Sequence, residues 1–175
     1  GRDKLPDRVQ KAIQLLADRG VVVAEPQGML PSEGPYRFAD EADCRSLLEL
    51  LEAGQLQRNS QVAAVWLQMA AGSQPGDLAQ ILAPLWLLAG DRVHAAHLYL
   101  RAGAQALDEY RNGAALQCLE KARELAPAGL AHVHVDAALG LGRLREAEGQ
   151  WTQAEALYRD ALELAWQYRS RSRDR

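Results

Sequence analysis

The sequence predicts a mainly α-helical protein with a small β-hairpin near its N-terminus. Alanine and leucine dominate while aromatic residues make up only 6% of the 175 residues, a composition that favours helices packed closely through small side chains. Apolar residues recur with helical spacing in successive segments, and glycine or proline separates most of these segments. The length suffices for one domain or two small ones with a hydrophobic core.

Residues 1–56 predict a module that combines helices with a β-hairpin. A helix is expected from Asp7 to Arg19, because Gly20 follows it as a C-terminal glycine. The β-branched run 21–24 and the alternating run 36–39 predict two short strands around a tip rich in glycine and proline. Asp40 is the expected N-cap of the next helix, which is predicted to reach about Gly54.

In the middle of the chain, the sequence predicts one helix followed by a linker. A helix is expected over 58–71, and the run from Gly72 to Gly76 breaks it. Residues 57–76 are therefore assigned to a helix and linker, 77–168 to helical repeats, and 169–175 to a disordered basic tail.

Five helical segments follow the break. Loops of a few residues between most of them predict antiparallel neighbours. The segments are Asp77–Ala89, Arg92–Glu109, Asn112–Leu125, Leu130–Glu148 and Trp151 to about Tyr168.

The last two segments carry the clearest internal pattern, which consists of Leu141, Gly142, Gly149, Ala154, Tyr158 and Ala161. These residues match in spacing the Leu-Gly pair, turn glycine, alanine and aromatic positions of a tetratricopeptide repeat, and the chain resembles that family here. The resemblance implies a solenoid of antiparallel helical hairpins that binds proteins. Small residues in the pattern let two helices approach closely.

Two looser copies precede it. One comprises Ala102, Gly103, Ala115, Leu119, Ala122 and Pro127, and the other comprises Leu82, Gly90, Ala95, Tyr99 and Ala102. The helix from Arg92 to Glu109 is thus shared by two units. The last two units are offset by 39 residues, where about 34 is usual, and Trp166 replaces the closing proline. The resemblance is therefore to the diverged class of these repeats.

The N-terminal module has a second resemblance. The helix to Arg19, the following hairpin and the next helix are similar to the winged-helix segment of STAND-type signalling ATPases, which leads into helical repeats. The run from Gly90 to Gly103 resembles the repeat region of bacterial multidomain kinases, cyclases and LuxR-type activators. These resemblances imply a regulatory, protein-binding piece of a larger bacterial signalling protein, whose catalytic parts lie outside this chain.

No catalytic or metal site is expected. The sequence lacks the glycine-rich phosphate loops, the GxSxG elbow and the HExxH helix, so we predict neither an enzyme nor a cofactor. His94 and His97 have no nearby third ligand. Cys44 and Cys118 form no CxxC pair, which favours a reducing, cytoplasmic location, and no apolar run is long enough to cross a membrane.

Five polar residues are the candidates for contact with a protein or peptide. The first helix of each hairpin lines the inner face of such arrays, which selects His97, Asp108, Asp136, Arg143 and Glu146. The residues that bind C-terminal carboxylates in chaperone-binding repeats are absent, because Leu139 and Arg143 occupy the informative positions. A chaperone-type C-terminal peptide is therefore not the expected partner.

Two alternative functions follow from other features. The winged-helix resemblance suggests DNA binding, but the net charge is −3, and residues 30–56 hold six acidic residues against Arg37 and Arg45, which would repel phosphate. Nucleic acid is thus not the expected partner. The final helix suggests an oligomerisation module, because Trp166 and Tyr168 could cover its open face by forming a homodimer.

Overall fold

The computed structural model describes residues 7–24, 36–70 and 78–173. These residues form eight helices and one two-stranded antiparallel sheet, which confirms the predicted mainly helical class. The chain divides into two compact units, Gly1–Leu56 and Gln57–Arg175. The predicted hairpin tip at 26–35 and the linker at 72–76 lie outside the described residues.

The first unit contains α1 (Asp7–Asp18), β1 (Val22–Ala24), β2 (Tyr36–Phe38) and α2 (Glu41–Glu49). The two strands pair antiparallel with Val22 opposite Phe38, so the predicted hairpin is confirmed. The chain turns after α1 at Gly20, where φ is 73°. Asp40 caps α2 as predicted, because its carboxylate accepts a hydrogen bond of 2.9 Å from the backbone N–H of Ala42.

The boundary between the second and third helices differs from the prediction. The second helix was expected to reach about Gly54, but α2 ends at Glu49, and α3 (Ala53–Ala70) starts before the predicted Arg58. Gly54 lies in the first turn of α3. Backbone N–H groups there have no partner within the helix, and glycine is tolerated near a helix start, so Gly54 begins a helix where it was expected to end one.

The second unit holds most of α3 and five further helices, namely α4 (Ala79–Leu88), α5 (Arg92–Asp108), α6 (Asn112–Leu125), α7 (Ala131–Ala147) and α8 (Trp151–Arg173). From α4 to α8 each helix packs on the next, and α5 also contacts α7. Connections of three residues follow α4, α5 and α7, which makes the helices that they join antiparallel. The unit is therefore a stack of helical hairpins.

Left-handed residues close the turns after α5 and α7. Gly149 has φ 74°, and its N–H donates to the carbonyl of Glu146 while the next N–H donates to Arg145. Tyr110 has φ 57° and makes the same pair of bonds after α5, although a side chain disfavours this conformation. Both turns are Schellman motifs, and only one of them has a glycine to mark it in the sequence.

Small residues allow the helices to pack closely. The alanines at the repeated positions are all buried, namely Ala95, Ala102, Ala115, Ala122, Ala154 and Ala161. A β-carbon on Gly103 of α5 would lie only 2.7 Å from the Cγ atom of Leu119 on α6. A β-carbon on Gly142 of α7 would lie closer still to the ring of Tyr158 on α8. These glycines are therefore required by the approach of the neighbouring helix.

The helix α3 joins the same core. Ala64 is fully buried in one cluster with α4 and α5 residues, and Leu67 packs against that cluster. The side-chain amide of Gln57 also donates a hydrogen bond of 3.0 Å to the carbonyl of Ala89, beyond the end of α4.

The predicted disordered tail is wrong for most of its length. We expected the last helix to stop at about Tyr168, but α8 continues to Arg173. No glycine or proline follows Gln150, and arginine and serine are compatible with a helix, so nothing in the sequence stops α8 earlier.

Candidate functional site

Two rows of exposed side chains run along α5 and α7. Each row has the spacing i, i+4, i+7 and i+11, which places its members on one side of a helix. The α5 row is His97, Arg101, Ala104 and Asp108, and the α7 row is His132, Asp136, Leu139 and Arg143. All eight are exposed, so both helices turn this side away from the core.

Contacts at both ends hold the two rows side by side. The imidazole rings of His97 and His132 stack with centroids 5.1 Å apart and an interplanar angle of 26°. At the other end, the Arg143 guanidinium lies 3.8 Å from the carboxylate of Asp108. Both contacts join residues that are 35 positions apart, so α5 and α7 run in the same direction. We call this pair of rows the α5–α7 face.

Between its ends the α5–α7 face carries charges around an apolar centre. Arg101 and Asp136 occupy equivalent positions in the two rows, and no described residue forms an ion pair with either of them within 4.0 Å. Ala104 and Leu139 follow them one turn later, and Leu139 is 41% exposed. An apolar centre within a polar rim is the usual composition of a protein–protein interface.

Four of the five predicted contact residues lie on this face. They are His97, Asp108, Asp136 and Arg143, and the structure brings them together in the two rows. The fifth, Glu146, is also exposed, but its carboxylate accepts a 2.7 Å hydrogen bond from the hydroxyl of Tyr158. Burial, reinforced by this bond, raises the pKa of Tyr158. Glu146 therefore stabilises the contact between α7 and α8.

The sequence analysis missed Arg101, Ala104, His132 and Leu139. The pattern of the hairpins repeats every 39 residues, as from Gly103 to Gly142, whereas the two rows touch at an offset of 35. The difference of four residues is about one helical turn. These residues are recognised when the exposed positions of α5 and α7 are aligned at an offset of 35 residues.

The same offset identifies a third row on α3. Val62, Trp66 and Met69 precede His97, Arg101 and Ala104 by 35 residues each, and they are 69%, 50% and 78% exposed. Large apolar side chains are seldom left exposed in such a regular row unless they serve a contact. Their spacing along α3 matches that of His97, Arg101 and Ala104 along α5.

A separate cavity of about 420 Å³ lies among α6, α7 and α8 and is lined by Glu120, Arg123, Glu124, Leu141, Arg145 and Leu157. Its arginines already have acidic partners: Arg123 pairs with Asp160, and Arg145 lies 2.8 Å from Glu148. Both arginines of the cavity are thus paired within the chain, and Glu124 is paired with Lys121.

The described residues contain no cluster of side chains that could hold a metal ion. No group of three or more histidine, cysteine or acidic side chains comes together in this part of the chain. Cys118 is buried, and desolvation raises the pKa of its thiol, the opposite of what activates a nucleophile. The ring of His94 instead stacks on Trp86 with centroids 4.5 Å apart.

Within residues 7–24, 36–70 and 78–173, every helix is too short or too polar to cross a membrane. No protein-family model matches the sequence, and no curated protein or solved structure shows significant similarity to it.

Proposed function

We propose that the second unit is a noncatalytic, tetratricopeptide-like repeat region that binds a protein partner through the α5–α7 face. The observation that carries this proposal is the pair of exposed rows joined by the His97–His132 stack and the Asp108–Arg143 contact. The buried alanines at the repeated positions and the closely approached glycines support the repeat architecture.

The composition of the face favours a peptide segment with both apolar and charged side chains. Leu139 and Ala104 offer an apolar contact, and Arg101 and Asp136 offer one charge of each sign beside it. Trp66 belongs to the α3 row, and a tryptophan that becomes buried on binding is the type of residue that contributes most to binding energy. The partner would therefore place an apolar side chain between α5 and α7, opposite Ala104 and Leu139, and a charge of each sign beside it, opposite Arg101 and Asp136.

The role that fits such a region is regulatory. A repeat unit joined to a small helix-and-hairpin module would hold a partner, or another domain of the same protein, in a signalling protein of the cytoplasm.

A displayed library of random 16-residue peptides provides the probe for this proposal. Selected peptides would be titrated into the full chain and into the variant Leu139→Asp. We expect the variant to weaken binding at least tenfold, because a carboxylate replaces the apolar centre of the face.

The matched control is Leu88→Asp, the same substitution at a similarly exposed leucine on α4. Binding that is lost in Leu139→Asp and kept in Leu88→Asp would support the proposal. Binding that is equal in both variants, or lost only in the control, would overturn it, as would the failure to select any peptide.

A further inference from the structure

The helices α6 and α8 occupy equivalent places in their hairpins. Each follows a three-residue turn with a left-handed residue, and equivalent residues are 39 positions apart. The equivalent pairs are Ala115 and Ala154, Leu119 and Tyr158, Ala122 and Ala161, Leu125 and Leu164, and Ala126 and Ala165. The contacts that α6 makes with its neighbours therefore indicate which contacts the surface of α8 is suited to make.

On α6, Leu119 is enclosed from two sides. Gly103 of its own hairpin lies on one side, where an added β-carbon would be 2.7 Å from Leu119 Cγ. Gly140 of the following helix α7 lies on the other, where an added β-carbon would be 2.9 Å from Leu119 Cδ1. As a result Leu119 is only 1% exposed.

On α8, only the first of these two contacts exists. The ring of Tyr158 packs on Gly142 of its own hairpin, as Leu119 packs on Gly103, and no described helix follows to supply a counterpart of Gly140. Tyr158 remains partly exposed.

The rest of the helix shows the same difference. Leu125 and Ala126 are buried at the end of α6, whereas Leu164 is partly exposed and Ala165 is exposed on α8.

Large apolar side chains extend this open surface. Leu162 and Trp166 are 58% and 65% exposed, and with Tyr158 and Ala165 they follow the spacing i, i+4, i+7 and i+8 of one helix side. We call these four residues the α8 outer face. Ordinary solvated helices do not collect a tyrosine, a leucine and a tryptophan on one side.

We propose that the α8 outer face is an interior packing surface that receives a further α-helix, in the way that α7 covers α6. That helix carries glycine or alanine opposite Tyr158, as α7 carries Gly140 opposite Leu119. A second copy of α8 is the competing occupant, and the sedimentation of the single chain described below distinguishes it from a further helix. The inference rests on the likeness of α6 and α8 and is independent of peptide binding by the α5–α7 face.

A tandem protein tests this proposal with a helix of known sequence. Residues 127–173, which contain α7 and α8, are appended to the full chain through a glycine–serine linker of about ten residues, so that the added α7 is available at high effective concentration. Hydrogen exchange of residues 155–168 is then followed by mass spectrometry in the tandem protein and in the chain alone. We expect exchange in the first copy of α8 to slow at least tenfold.

The control carries Leu162→Glu and Trp166→Glu in the first copy of α8. Both side chains are exposed, so the two substitutions in the single chain should leave its far-ultraviolet circular dichroism unchanged. In the tandem protein they should abolish the added protection. Unchanged exchange in the tandem protein, or protection that survives the substitutions, would overturn the proposal. So would a single chain that sediments as a dimer with α8 already protected, because a second copy would then be the occupant.

Discussion

Replacing Gly103 by alanine tests whether the close packing of α5 on α6 at this glycine stabilises the second unit. The added β-carbon would lie 2.7 and 2.8 Å from Leu119 Cγ and Cδ2 and 3.3 Å from the backbone nitrogen of that residue. Leu119 cannot move aside, because Gly140 encloses it on the opposite side. Overpacking of this kind costs about 1–3 kcal/mol, and the better helix propensity of alanine offsets about 1 kcal/mol of it. We expect Gly103→Ala to lower the free energy of unfolding by up to about 2 kcal/mol.

Gly113 on α6 provides the matched control, because a β-carbon there would meet nothing within 4 Å. Gly113→Ala should therefore stabilise the chain by up to about 1 kcal/mol in urea unfolding followed by circular dichroism. In a Leu119→Ala background the obstacle is gone, so Gly103→Ala should also become stabilising. The coupling between the two sites should be about 1–3 kcal/mol. Equal effects of the two glycine substitutions, or a coupling near zero, would refute the reasoning.

Three further predictions concern turns, pH and thiols. Both turns need a left-handed residue, a conformation that glycine adopts more easily than other residues. Tyr110→Gly should therefore stabilise the chain by about 1 kcal/mol and raise its melting temperature, and Gly149→Ala should destabilise it by about 1 kcal/mol and lower that temperature. Changes of the opposite sign would contradict the assigned backbone conformations. Burial raises the pKa of Tyr158, so the protonated hydroxyl should contribute its full stability below about pH 10, and this contribution should be lost as the pH rises further. Tyr158→Phe should therefore reduce the loss of stability at alkaline pH. An unchanged dependence of stability on pH in this variant would contradict the assigned role of Tyr158. Cys118 is buried and its thiol pKa is raised, so maleimide should modify it more slowly than the partly exposed Cys44 in the folded chain, and comparable rates would show that the core opens there.

Much of the fold was predictable because glycine, proline and capping residues mark helix ends directly. The bounds of α6 agree with the sequence pattern, those of α5 differ by one residue at its end, and those of α7 differ by one residue at each end. Errors arose where the same residue types serve another purpose. Gly54 opens α3 instead of closing α2, and α8 runs through a basic stretch that contains no breaker.

The candidate face was harder to predict because it depends on the position of each hairpin along the helix axis relative to the next hairpin. The sequence repeat identifies residues that pack within a hairpin, such as Gly103 and Leu119. Contacts between hairpins, such as the stack of His97 on His132, follow an offset one turn shorter. That shift is set by side-chain packing in three dimensions, so Leu139 and Arg101 could not be recognised from the repeat alone.

The most direct test of the central proposal is a chemical footprint of the bound peptide. Diethyl pyrocarbonate modifies accessible histidines, and the chain has two of them on the α5–α7 face, His97 and His132, and an internal control, His94, which packs on Trp86. A library-selected peptide at saturating concentration should slow the modification of both face histidines at least fivefold while leaving His94 unchanged, as measured by mass spectrometry. Equal protection of all three, or protection of His94 alone, would contradict binding at the α5–α7 face.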